Sequence, residues 1–208
     1  MTAAFPRGFK AWCETAAAQQ RKLLGLRPDD PLDPSALAKH LRLTVWNVDQ
    51  IPGVGESCLG TLLGSGRDEW SAVTLQMNGK HAIVLNSIHS RGRTSSDLAH
   101  ELSHILLGHD PARGDVTVDG MLVLNTYDKQ QEEEAKWLGG CLLLPRDALV
   151  WIRRRRMPIR DVVQRYGVSQ RMVNYRMRVA GVDTQFERIG RRYGRSRVLQ
   201  QGGSRSAK

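Results

Sequence analysis

Apolar residues spaced three and four apart make residues 8–25 an amphipathic helix. Arg27-Pro28-Asp29-Asp30-Pro31-Leu32-Asp33-Pro34 is a proline-rich connection. Asp33 and Pro34 then set up a short helix from Ser35 to Leu41, as N-cap and first helical residue. β-like runs follow at Leu43–Val48, Cys58–Leu63, Ser71–Met77 and His81–Asn86. Asn78-Gly79 lies between the last two, and that dipeptide favours the type I′ turn of an antiparallel hairpin.

Helical spacing returns at Leu98, Leu102, Ile105 and Leu106, with Ser95, Ser96 and Asp97 offering N-cap chemistry and Gly108 a stop. Residues 110–128 read as irregular or weakly extended. A further helix runs from about Gln130 to Leu144 and ends at Pro145. Helices, an antiparallel hairpin and two more helices in that order indicate an α+β fold.

The chain has 208 residues, 40% hydrophobic and 25% charged, which suits one soluble domain with a small appendage. No run approaches the roughly eighteen apolar residues of a membrane span, and Pro6, Arg7, Lys10 and Glu14 interrupt the N-terminus where a signal peptide would be apolar. Cys13, Cys58 and Cys141 are odd in number and far apart, as expected of reduced thiols in a cytoplasm. Charge is segregated. Residues 151–208 carry 16 Lys/Arg and 3 Asp/Glu, a net of +13, and residues 1–150 carry 15 and 18, a net of −3. A basic end on a mildly acidic body suits contact with a polyanion, or a solvated tail.

Candidate chemistry concentrates in His100-Glu101-Leu102-Ser103-His104. Histidines four apart stack on one helix face, so both imidazoles can reach one zinc ion. Glu101 projects beside such an ion, where it can take a proton from water. A catalytic zinc normally has a third protein ligand. His109 follows Gly108, past the expected helix end, and reads as a C-terminal residue favoured by the helix dipole rather than a ligand. A carboxylate from Glu132-Glu133-Glu134 is the better candidate. Successive helix residues point about 100° apart, so only one of the three can face the ion squarely. Glu133 shares its face with Lys136, which suggests solvent. Glu132 precedes Ala135 and Gly139, small residues that allow close helix packing, while Glu134 leads Leu138 and Cys141. Periodicity leaves Glu132 and Glu134 both open.

His-Glu-Leu-Ser-His-Ile-Leu-Leu-Gly-His, preceded by His81-Ala-Ile-Val-Leu-Asn86 and followed by Glu132-Glu-Glu-Ala135-Lys-Trp-Leu-Gly-Gly-Cys-Leu-Leu-Leu-Pro145, resembles the ImmA/IrrE family of zinc metallopeptidases. That family has a strand ending in Asn, then the metal helix, then a Glu-x-x-Ala-Asn helix closing in Leu-Leu-Met-Pro. The likeness covers roughly residues 30–180 and implies a zincin-like metallopeptidase domain with a small antiparallel sheet. It also implies a gluzincin ligand set of His100, His104 and Glu132, with Zn²⁺ as cofactor and Glu101 as general base. By the same likeness the substrate is a helix-turn-helix transcriptional repressor, whose cleavage relieves repression in a stress response or on a mobile element. The chain departs from the pattern at Lys136, where the family has Asn or Asp. In gluzincins an acid there can orient a metal-bound histidine. Lysine cannot accept that hydrogen bond, so another acceptor must, or metal binding is weaker. Tyr127, His81 and His89 are the candidates for stabilising an oxyanion.

Val163, Gly167, Ser169 and Val173 have the spacing of a helix-turn-helix, with Gly167 at the turn and a second helix from Ser169. That helix would expose Gln170, Arg171, Asn174, Tyr175 and Arg178; Gln, Asn and Arg suit base edges, and Arg also suits phosphates. The expected organisation is a metallopeptidase domain over 1–147, a helix-turn-helix-like segment over 148–186 and a basic, disordered tail over 187–208. The expected partners are a protein substrate and, through the basic end, DNA. The alternative function is a DNA-binding regulator with structural or sensory zinc.

Overall fold

A computed structural model describes residues 5–77, 80–109, 114–116, 122–124 and 128–187. Asn78-Gly79, Tyr127 and the tail from 188 onward lie outside the described residues. Helix α1 (Phe9–Leu23) buries Cys13, Ala17 and Arg21, one residue per turn. Helix α2 (Pro34–His40) starts as its sequence predicts, with the Asp33 carboxylate accepting the Ser35 amide at 2.9 Å and Pro34 in the first turn.

Strands β1 (Thr44–Asn47), β2 (Ala72–Met77) and β3 (Lys80–Leu85) form a sheet in the order β1-β3-β2. β2 and β3 pair antiparallel, with Thr74 opposite Ile83, as the hairpin reading requires. β1 joins the other side of β3 in parallel, Val45 opposite Ile83, so the sheet is mixed rather than antiparallel. Alternation marks a strand but not its direction, and a parallel partner needs only a connection long enough to cross over. Residues 56–65 make part of that connection. The run Cys58–Leu63, expected as a strand, is instead helix α3 (Glu56–Gly60) continuing into a π-helical turn (Thr61–Ser65). Leu59, Leu62 and Leu63 fit helical spacing as well as a short apolar run does, and among the described residues no strand pairs with them.

Helix α4 (Arg91–Leu107) begins after Ser90, about a turn earlier than the capping residues suggest. Ser95, Ser96 and Asp97 therefore lie inside the helix and do not cap it; the Ser96 hydroxyl donates back to the Gly92 carbonyl at 2.9 Å. Gly108 ends it in the left-handed conformation (φ 68°), as read from the sequence. A short antiparallel pair, β4 (Gly114–Val116) and β5 (Leu122–Leu124), occupies part of the stretch expected to be weakly extended. Helix α5 (Lys129–Leu143) starts at Asp128, whose carboxylate accepts the Gln130 and Gln131 amides at 2.7 and 3.3 Å. It lies along α4. Leu37, Ile83, Leu98, Leu102, Leu138 and Leu142 are fully buried between α2, the sheet, α4 and α5.

Helices α6 (Arg146–Arg154), α7 (Ile159–Tyr166) and α8 (Gln170–Val179) follow, then a helical stretch over 182–187. Gly167 turns between α7 and α8 at φ 62°, and the Ser169 hydroxyl accepts the Met172 amide at 3.1 Å. These helices share one buried cluster with Ala99, Leu143 and Leu144. A Cβ on Gly92 would lie 2.9 Å from the Ser169 nitrogen, so the α7–α8 turn rests directly on the first turn of α4. Among the described residues no helix is long and apolar enough to cross a membrane.

Candidate metal centre

α4 and α5 place the chemistry. His100 and His104 lie one turn apart on α4, and Glu132 reaches them from the first turn of α5. His100 Nε2 and His104 Nε2 are 3.1 Å apart. Glu132 Oε2 is 3.1 Å from His100 Nε2, and Oε1 is 3.4 Å from His104 Nε2. Two atoms bound tetrahedrally to zinc at about 2.0–2.1 Å stand about 3.3 Å apart. The three separations match that edge, and two imidazole nitrogens with a carboxylate oxygen are a donor set zinc accepts. Of the two carboxylates left open by periodicity, Glu132 is the one at the pair. Glu133 turns away, with Lys136 Nζ 3.5 Å from its carboxylate.

The electrostatics are those of a crowded, sheltered site. Burial pulls His100 toward neutrality, but the hydrogen bond to Glu132 and the charge of Glu101 outweigh it, so its pKa is raised. His104 is pushed down to about 4, first by burial and then by the charge of His100. Its ring therefore stays neutral, with a lone pair free for a cation. Glu132 lies below the ordinary carboxylate range, chiefly through its hydrogen bond with His100. Glu101 is raised because burial outweighs the Thr74 hydrogen bond and the charge of His100.

Thr74 on β2 is a residue that sequence reasoning missed. Its hydroxyl donates to Glu101 Oε2 at 2.5 Å, tying the strand to the metal helix. Nothing in the spacing of residue 74 points to residue 101; only the fold brings them together. Glu134 and His109 form a second contact, with His109 Nε2 3.3 Å from Glu134 Oε2 and His109 Nδ1 3.0 Å from His104 Nδ1. Of the oxyanion candidates, His89 has its side chain only 6% exposed, with Nδ1 3.5 Å from Asp97 Oδ2. His81 pairs with Gln76 in the hairpin register. Tyr127 lies outside the described residues. On α8, Gln170, Arg171, Asn174 and Arg178 are exposed along one face; Tyr175 is half-buried, its ring centroid 5.9 Å from the Lys136 ammonium.

This arrangement has the form of a three-donor metal centre with a carboxylate beside it. Residues 59–178 match the Peptidase_M78 family model, described as an IrrE N-terminal-like domain. The chain belongs to that family. No curated protein matches it. Among solved structures it is similar to a Mycobacterium tuberculosis transcriptional regulator, at 15% identity over 83% of this chain with a TM-score of 0.46. The chain spans 47% of that protein's length.

Proposed function

We propose that this protein is a cytoplasmic zinc-dependent endopeptidase that hydrolyses a peptide bond in one protein partner. The observation that carries the reading is the convergence of His100, His104 and Glu132 on a single point, with Glu101 next to His100 in the chain and held by Thr74. Zinc bound there supplies Lewis acidity that polarises a carbonyl and brings water toward ionisation near neutral pH. The remaining work falls to the chain. The Thr74 hydroxyl occupies Oε2 of Glu101 and fixes the carboxylate plane, leaving Oε1 to receive the water proton. The oxygen that takes the proton then returns it to the leaving amine. A zincin-like organisation of the domain goes with this reading.

The substrate we assign is a helix-turn-helix repressor, with cleavage relieving repression in a stress response or on a mobile element. Co-expression with a candidate helix-turn-helix repressor, read for a Glu101-dependent fragment, tests this. Glu101→Gln retains zinc and abolishes the fragment, and His104→Ala loses both. Cleavage by Glu101→Gln at the native rate would overturn the mechanism.

A second reading is a DNA-binding regulator whose zinc is structural or sensory. It is favoured by the net +13 of residues 151–208 and by Gln170, Arg171, Asn174 and Arg178 sharing an exposed face of α8. In this reading α7 and α8 form a helix-turn-helix. A salt-titrated DNA shift separates the two. Binding that falls steeply with salt, and weakens in Arg171→Ala/Arg178→Ala, supports phosphate contact. Negligible binding at low salt removes this reading.

A further inference from the structure

We infer that His109 and Glu134 are positioning residues that hold His104 in its metal-binding tautomer, the inference resting on the metal reading above. The order of contacts carries it. His104 Nε2 faces His100 and Glu132, while its other nitrogen, Nδ1, lies 3.0 Å from His109 Nδ1. His109 Nε2 lies 3.3 Å from Glu134 Oε2, and Glu134 Oε1 accepts from the Gln130 side-chain Nε2 at 2.7 Å. Only one proton fits between two facing ring nitrogens. Facing a carboxylate, the single proton of a neutral His109 ring sits on Nε2 and its Nδ1 carries a lone pair. His104 must then donate from Nδ1, which leaves Nε2 unprotonated and aimed at the metal point. Reversing any bond would set a lone pair against the carboxylate or a proton on the ligating nitrogen.

The helix end explains why His109 is in place. The His109 amide donates to the His104 carbonyl at 3.0 Å and the Gly108 amide to Ile105 at 3.1 Å, the paired bonds of a Schellman turn. That turn normally folds an apolar residue back onto the last helical turn. Here it folds an imidazole onto His104, with ring centroids 5.0 Å apart. The side chains of His109 and Glu134 are 8% and 16% exposed, so water competes weakly for these bonds. The departure at Lys136, whose ammonium faces Glu133, therefore does not leave the metal helix without an acceptor. The end of the same helix supplies it.

Zinc affinity of the full chain, read by chelator competition, tests the relay without any substrate. His109→Leu removes the acceptor and is expected to weaken zinc about 10–100-fold, the usual effect of losing such a partner. His109→Gln can still accept from His104 and donate to Glu134, and is expected to stay within a few-fold of wild type. Glu134→Ala releases the tautomer and weakens zinc even if His109→Leu fails to fold. The Tm of the metal-free variants reads folding separately. Wild-type affinity in both His109→Leu and Glu134→Ala, or a loss in His109→Gln equal to that in His109→Leu, overturns the relay and leaves the metal reading intact. A wild-type chain that takes up no zinc overturns both.

Discussion

A Cβ on Gly139 would lie 3.2 Å from the carbonyl oxygen of Ala99 and 3.4 Å from the His100 nitrogen. The backbones of α4 and α5 therefore touch directly where they cross. Ala99 precedes the first histidine, and Glu132 lies two turns before Gly139 on its own helix. The distance from carboxylate to imidazole pair is thus set by the absence of a side chain.

Gly139→Val should push α5 off α4. The obstacle is backbone, which cannot rotate aside as a side chain can. A loss of about 1–3 kcal/mol in a denaturant titration is expected. Zinc affinity should fall at least about 10-fold as Glu132 withdraws from the histidines. Gly139→Ala should do less of each, because a few tenths of an ångström suffice to admit one methyl.

Glu101 is a sheltered carboxylate, and its charge works against the metal-free fold. Its folded pKa lies above its unfolded one, with burial as the first cause. Such a group binds more protons folded than unfolded. Its contribution is fully favourable below the unfolded pKa and is lost as pH rises through the folded value. Metal-free Glu101→Gln should therefore have a Tm a few degrees above wild type at neutral pH. The gap should close on acidification toward the ordinary carboxylate range. A gap that stays constant from pH 7 to pH 4.5 would show that the charge is not the cause.

The cysteines should react unequally. Cys13 and Cys141 are buried, and burial pushes the Cys13 thiol up to about 12 and holds Cys141 well above its ordinary value. Cys58 is exposed. Native alkylation at pH 8, read by mass spectrometry, should label Cys58 within minutes and leave the other two intact until denaturant is added. Rapid labelling of Cys141 in the native chain would mean that α1 lifts away from α5.

Much of the site was legible because its residues sit at helical spacings. The pair at 100 and 104 needs only the 3.6-residue period to stack, and the small residues at 135 and 139 announced a close helix contact. What spacing could not show is what the tertiary fold alone decides. Thr74 meets Glu101 across 27 residues, and β1 lies parallel because of a crossover that no alternation pattern encodes. Residues 58–63 misled for a different reason, since six apolar and small residues satisfy both periods and only a neighbouring strand could choose. His109 was correctly placed past the helix end. Its use stayed hidden because a Schellman turn reverses the chain and returns the next side chain to the helix it left.

Arg176 on α8 binds the rest of the molecule through three helices. It is fully buried, donating from Nε to the Leu144 carbonyl at 3.0 Å and from Nη2 to Glu14 Oε1 at 2.7 Å. A Cβ on Gly140 would come within 2.7 Å of its Cδ, so α5 leaves room for the aliphatic stem. Glu14 in turn accepts the Arg146 amide at 2.9 Å at the start of α6. Arg176→Ala removes both the packed stem and the charge facing Glu14, and a cost of about 3–5 kcal/mol is expected. Arg176→Met keeps most of the stem, and Glu14 still has the Arg146 amide, so its cost should be roughly half as large. Combining it with Glu14→Gln should cost less than the sum of the two single changes, because neither then strands a charge. Denaturant midpoints of the four proteins in this cycle measure the coupling. Strict additivity would reduce Arg176 to a packing residue and dissolve the tie between α8 and α1.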